Sequence, residues 1–303
     1  EYETVLLTLL SDVAVNYFKI RELDREVVIL DEAIKLRQYA HDVVNDRVEG
    51  GVTNKLDFSR AKTALAQVQA DKIEVLRQRK EFENALAILC GYLPSEFSID
   101  SYPLDLEPPH IPAGIPSELL ERRPDIAEAE RRVAAANAEV GVAKAAFYPT
   151  LTLMSSAGFR SVEVEDILSW ESRVWSLGPS ISIPIFQGGK NNANLDAKRA
   201  EYDMTVEDYR QTVLTAFGEV ETALSNIEKR AEQAQAQKGV VEAARKAAEI
   251  SISRYQEGIV TFLEVVDAER SRLDAEREAV EILNERLVAT IQLIKALGGG
   301  WEW

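Results

Sequence analysis

The chain has 303 residues, 46% of them apolar, so it is long enough to bury a core and too apolar to be disordered. Lys and Arg total 35 against 51 Asp and Glu, a formal charge of −16 that repels phosphate backbones and excludes nucleic acid as a partner. No apolar run approaches the ~18 residues that carry a helix across a bilayer, so a membrane-spanning reading requires a β-barrel.

All ten prolines lie between Pro94 and Pro184, which leaves two proline-free arms able to form long helices. Residues 1–90 read as a first helical hairpin. Helix formers run from Leu6 to Glu49, Gly50-Gly51 stops them, and a return helix from Leu56 to Cys90 carries Val68, Val75, Phe82 and Leu89 at every seventh position. The single cysteine, Cys90, closes no intrachain disulfide and is expected to be a small buried residue beside Gly91. Residues 91–117 hold six prolines and read as an equatorial connector, anchored by side chains such as Tyr92, Phe97, Ile99 and Tyr102.

Residues 118–146 read as a helix, with Ser117 as its N-cap and a restart at Pro124 with Asp125 in the first turn. The period then changes to two over 147–187. Leu151, Leu153, Ala157 and Phe159 share one face, as do Trp175, Leu177, Ile181, Ile183 and Ile185, with Thr, Ser and Gly on the other. Each predicted strand has about the 9–11 residues that cross a bilayer.

Residues 188–297 read as a second, longer helical hairpin. Lys190 to Glu257 would make a helix of roughly 100 Å, Gly258 turns the chain, and the last helix runs from Phe262 to Leu297. There Val266, Leu273, Val280, Leu287 and Ile294 repeat every seventh position. A second row, Phe262, Glu269, Glu276, Leu283, Thr290 and Leu297, is only partly apolar, so this side is expected to meet water. Residues 298–303, with Gly298-Gly299-Gly300, Trp301 and Trp303, form a terminating tail.

The two hairpins are related. Arg47 to Thr63 and Arg254 to Arg270 correspond at a constant offset of 207 residues, matching Gly51 with Gly258, Leu56 with Leu263 and Ala61 with Ala268. A period this long marks a duplicated half-protein, not a solenoid. In each copy an arginine precedes a glycine that ends one helix, and a leucine followed by an acid opens the next.

Chemical motifs are absent from the sequence. His41 and His110 are far apart without a metal-ligand pattern, Met154 and Met204 are the only methionines, and the terminal glycines follow a helix instead of cradling a phosphate. No nucleophile–base–orienter set appears, so neither catalytic residue nor cofactor is expected.

The motifs LLERRPDIAEAE (Leu119 to Glu130), AAFYPTLTL (Ala145 to Leu153), PIFQGG (Pro184 to Gly189), RYQEG (Arg254 to Gly258), LEVVDAER (Leu263 to Arg270) and ALGGGW (Ala296 to Trp301) follow one another in order. Together they resemble the outer-membrane efflux proteins, the TolC-like exit ducts of resistance-nodulation-division pumps, and particularly their lipoprotein branch. The resemblance implies a mainly α chain of a homotrimer. Its antiparallel helical hairpins would form a periplasmic α-barrel, and each subunit would add four strands to a twelve-stranded outer-membrane β-barrel. It further implies a passive, non-enzymatic duct in the outer membrane and periplasm of a Gram-negative bacterium, meeting outer-membrane lipid, a periplasmic adaptor and, indirectly, an inner-membrane pump. The tips, Arg47, Gly51, Val52 and Thr53 with Arg254, Gly258, Ile259 and Val260, would contact the adaptor. Leu263, Asp267 and Arg270, which share one helical stripe, would form the periplasmic gate as apolar plug, acidic ring and closing partner, and Asp57 is the nearest acid in the first copy. The first copy starts at Glu1 opposite Asp208, so a counterpart of Glu118 to Glu207, a signal sequence and a lipid-bearing cysteine are expected to precede it, and the hairpin here lacks neighbouring strands. The rival reading, a coiled-coil scaffold, accounts for the heptads but not for the amphipathic strands.

Overall fold

The structure is a computed structural model that describes residues 2–51, 54–103, 106–109 and 123–299. His110, the expected cap Ser117, Trp301 and Trp303 lie outside these. Helix α1 spans Tyr2–Glu49 and α2 spans Lys55–Leu89, α3 covers Pro124–Ala145, strands β1 (Thr150–Phe159) and β2 (Arg173–Ser182) follow, then α4 (Lys190–Gln256) and α5 (Phe262–Ala296). The punctuation follows the sequence: Gly51, Gly91, Gly188, Gly189, Gly258 and Gly298 all take positive φ at helix ends.

The chain divides into two compact units, Glu1–Pro124 with Thr215–Trp303, and Asp125–Leu214. In the first, Leu23, Ile29, Leu30 and Ala33 of α1 meet Val68 and Val75 of α2 and Leu273 of α5, with Phe82 and Val280 packed at the margin. The seven-residue rows read from α2 and α5 thus face the same seam. Each fully buried Val or Leu there contributes ~1.5–3 kcal/mol.

A single carboxylate organises the polar side of this seam. Asp24, 1% exposed, accepts from Arg21 Nη1 at 2.8 Å, Arg79 Nε at 2.6 Å, Ser101 Oγ at 2.9 Å and the Tyr102 amide at 3.2 Å. The two arginines continue to the connector, Arg21 to the Asp100 carbonyl at 2.8 Å and Arg79 to that of Ile99 at 2.8 Å. The connector is therefore tied down by ionic and backbone bonds more than by its aromatic side chains, since Tyr92 and Tyr102 are exposed. At the far end of α5, Arg123 Nη1 donates to the Ala296 carbonyl at 2.9 Å and to Glu219 at 2.7 Å, completing a helix terminus that would otherwise leave a buried carbonyl unmet.

Two expectations fail here. The partly polar row of α5 is not wet: Glu269 and Glu276 are 8% and 4% exposed, because Arg272, also buried, donates to Glu269 at 3.1 Å and Glu276 at 3.0 Å along the same helix. Arg245 of α4 adds a second bond to Glu276 at 2.7 Å. Cys90 is exposed, because it caps α2 where Gly91 turns the chain away and none of the described residues covers it.

In the second unit β1 and β2 pair antiparallel from Thr150↔Ser182 to Phe159↔Arg173 without a bulge. One face carries the pairs Leu151–Ile181, Leu153–Pro179 and Ala157–Trp175, and the other Thr152–Ser180 and Ser156–Ser176, whose hydroxyls lie 2.8 Å apart. Every residue of both strands is exposed. The second strand stops at Ser182, short of the expected Ile183 and Ile185, because Pro184 has no amide to continue the ladder.

Glu22, on α1 beside Lys19, has its carboxyl raised from 4.5 to about 6, first by burial and further by Glu26 and Glu281. Its Oε2 has no hydrogen-bond partner among the described residues. The folded value lies above the unfolded one, so the folded chain holds this proton more tightly. The resulting stabilisation is complete below pH 4.5 and lost as pH rises through 6. Glu22→Gln should therefore stabilise the helices by about 2 kcal/mol at pH 7.5 and hardly at all near pH 4.5, read as the change in thermal midpoint by circular dichroism. A gain independent of pH would contradict this.

Candidate functional site

The matched hairpin tips are built by the same local chemistry. In the first, the Gly50 amide donates to the Asp46 carbonyl at 2.9 Å and that of Gly51 to Val48 at 3.0 Å, with Gly51 at φ +69°. Val52 and Thr53 lie outside the described residues. Asn54 then caps α2, its side chain accepting from the amides of Leu56 at 2.9 Å and Asp57 at 3.1 Å. In the second, the Gly258 amide donates to Tyr255 at 3.0 Å and that of Ile259 to Arg254 at 2.9 Å, with Gly258 at φ +77°. This is a Schellman closure, and Thr261, in extended backbone, opens α5.

The tips are clasped together. Arg47 Nη1 donates to the Tyr255 carbonyl at 2.9 Å, and its guanidinium lies 4.8 Å from the centre of the Tyr255 ring. That ring packs edge-on to Phe262, 5.4 Å between centres, in a cluster with Val44, Ala61 and Val265. A cation on an exposed helix terminus thus meets a carbonyl, an aromatic face and the negative end of α4 at once. Its counterpart Arg254 is exposed, and its side chain makes no hydrogen bond or ion pair with the described residues. Ile259 is exposed, while Val260 packs on the cluster.

Of the four expected gate residues, Leu263, Asp267 and Arg270 are exposed on α5 and Asp57 is half-buried on α2. A groove of about 740 Å³ runs between α2 and α5, lined among others by Leu56, Arg60, Thr63, Leu263, Arg270 and Asp274. It brings the two copies of the leucine, Leu56 and Leu263, to one surface. Asp267 and Asp57 do not line it. Arg270 lies 3.8 Å from Asp274, one turn on, and Asp57 lies 3.5 Å from Arg60. Within one chain, therefore, Arg270 does not pair with Asp267.

Sequence reasoning picked out Arg47 at the tip but not the acceptor of its clasp, and missed the Glu269–Arg272–Glu276 triad. The triad had a signal, an acid–base–acid spacing of three and four on one helix. The clasp had none, because its acceptor is a backbone carbonyl. Arg47→Ala should open the tip locally by about 2 kcal/mol, roughly thirtyfold faster amide exchange over residues 252–260. The Leu23 seam should stay as protected as in the parent; loss of protection there would mean a global effect.

The model of the outer membrane efflux protein family matches residues 1–92 and 115–299. The chain is 33% identical to the outer membrane protein OprJ of Pseudomonas aeruginosa, covering 98% of this chain and 62% of that protein. It is 34% identical to the toluene efflux pump outer membrane protein TtgI of Pseudomonas putida, covering 99% and 64%, and 33% identical to the cation efflux system protein CusC of Escherichia coli, covering 98% and 65%. It thus spans somewhat less than two thirds of these relatives. The solved outer-membrane channel OprN superposes with a TM-score of 0.89 at 34% identity over 99% of this chain and 68% of that one. Solved CusC gives 0.86 at 32% over 98% and 70%.

Proposed function

Because this chain belongs to the outer membrane efflux protein family, we propose that it is part of a passive exit duct in a Gram-negative outer membrane, fed by an efflux pump and gated at its hairpin tips. The observation that carries the reading is the β-hairpin. Its strands, ten residues each, present an uncovered, mainly apolar face and a face mostly of Thr, Ser and Gly with Met154 and Val174 among them, and among the described residues each has one partner. Two strands alone are marginal in water. In a bilayer, one apolar and one small polar face suit the outside and lumen of a shared barrel, closed by other strands so that no edge remains. Three copies assembling this way would place the helical hairpins in a common tunnel on the periplasmic side.

The tips would meet the adaptor through Gly51, Gly258 and the exposed Ile259, where a bare glycine backbone permits close approach. A β-branched residue cannot hold φ +77° without strain of about 1–2 kcal/mol. Gly258→Val should abolish export in cells while leaving the yield of assembled protein unchanged. Lost assembly would instead mean that the glycine serves the helix end alone.

The gate would form where exposed Leu263 and Asp267 of several copies converge. Since the Asp267 carboxylate has no partner among the described residues and Arg270 holds only a loose pair, both charges are available to a neighbouring copy. Replacing both with alanine in the full chain should raise single-channel conductance in planar bilayers several-fold. High salt should open the parent more than the variant, because screening weakens the same ring. Unchanged conductance would place the constriction elsewhere.

A further inference from the structure

The two tips are copies of one design, yet only one finds its clasp inside the chain. Resting on the multi-copy duct proposed above, we propose that the free clasp closes between copies: Arg254 of one protomer donates to the backbone carbonyl of the partner's Val48, as Arg47 donates to Tyr255 within the chain.

The acceptor is already shaped for it. The Tyr255 carbonyl takes the Gly258 amide at 3.0 Å and, on its second lone pair, Arg47 at 2.9 Å. Val48, 207 positions earlier, takes the Gly51 amide at the same 3.0 Å and no second donor among the described residues. One turn-closing bond is made in both copies; one arginine bond is made in only one.

The surfaces around the clasp repeat the pattern. On α1 the residues Ala33, Ala40 and Val43 rise toward Arg47 and are covered, Ala33 in the seam with Leu273, and Ala40 and Val43 against the cluster of Tyr255, Phe262 and Val265. Their counterparts on α4, Val240, Ala247 and Ile250 rising toward Arg254, are all exposed, Val240 to 51% and Ile250 to 46%. The same stripe is therefore buried once and left open once.

Charge agrees. In the chain Gln256 Nε2 reaches Tyr39 Oη at 3.4 Å. The positions that correspond are Glu49 and Lys246, so the contact between copies sets an acid against a lysine. Both are exposed at present and hold only partners on their own helix, Asn45 for Glu49 and Glu249 for Lys246. The complementary face belongs to this chain itself, which identifies the partner as a second copy.

The two seams are not equal. Val48 offers no ring where Tyr255 does, and the pair of Arg277 with Glu26, 2.6 Å within the chain, has Ala70 and Gln233 at the corresponding positions. The seam between copies has fewer ties and is where the tips part first.

The test uses the full chain in detergent, with the dissociation rate of the oligomer followed by native mass spectrometry and helix content by circular dichroism. Arg254→Ala and Lys246→Glu should each raise the dissociation rate about tenfold at unchanged helicity. Adding Glu49→Lys to Lys246→Glu should restore most of the loss, an outcome that damage to folding cannot produce. An assembled parent indifferent to both single changes, or a charge swap that only adds a further loss, overturns the clasp and leaves the duct standing. A parent that stays monomeric overturns both.

Discussion

The rest of the structure depends on how little a long helix can bury. Of the 67 residues of α4 five are buried, Ala216, Val220, Ala223, Ala248 and Tyr255, and four of these side chains are small. At ~25 cal/mol per Å² such a stripe holds two helices together but specifies their register weakly, since one alanine meets another much as well as the next. Register is instead supplied by groups that bond in one position only. Asp24 fixes α1, α2 and the connector at one height, and Arg47 fixes the tip of one hairpin against that of the other.

Burial of charge is expensive unless every lone pair and proton is met, and the seam honours this unevenly. Asp24 is surrounded by four donors, so removing it would strand two arginines, a loss of about 3–5 kcal/mol for a broken buried pair. Glu22, two residues away, has a single lysine, and burial above all pushes its carboxyl up to about 6. The same helix therefore carries one carboxylate met by four donors and one that loosens the fold as pH rises.

Helix existence and ends were legible because backbone chemistry announces them: prolines confined to one stretch and glycines at the turns left few alternatives for the arms. The strands were legible from their period of two, although Pro184 trimmed the second. The burial of Glu269 and Glu276 was not, since a carboxylate three or four residues from an arginine reads equally as a solvated surface pair and as a buried one. Only the neighbouring helices decide: here Arg245 of α4 bonds Glu276, and Glu269 shares a small cavity with Arg37 and Ala40 of α1 and Ile252 of α4. The gate residues were placed on one stripe by spacing alone, and spacing cannot say which acid an arginine chooses. Asp274 lies at the i+4 position from Arg270, the reach of one turn, whereas Asp267 is three residues before it.

Duplication turns incompleteness into a rule for assembly. A half-protein copied once yields two surfaces that fit each other, and joining the copies in one chain satisfies only half of these fits. In the clasp proposed above, the remainder, a helix stripe and an arginine side chain without a partner among the described residues on one hairpin and a carbonyl with one donor on the other, is complementary by descent. The strand pair poses the same problem, since two edges and an apolar face stay uncovered among the described residues. The proposed assembly would answer both with one physical principle: each element presents polar or apolar groups that are well met by more of the same element.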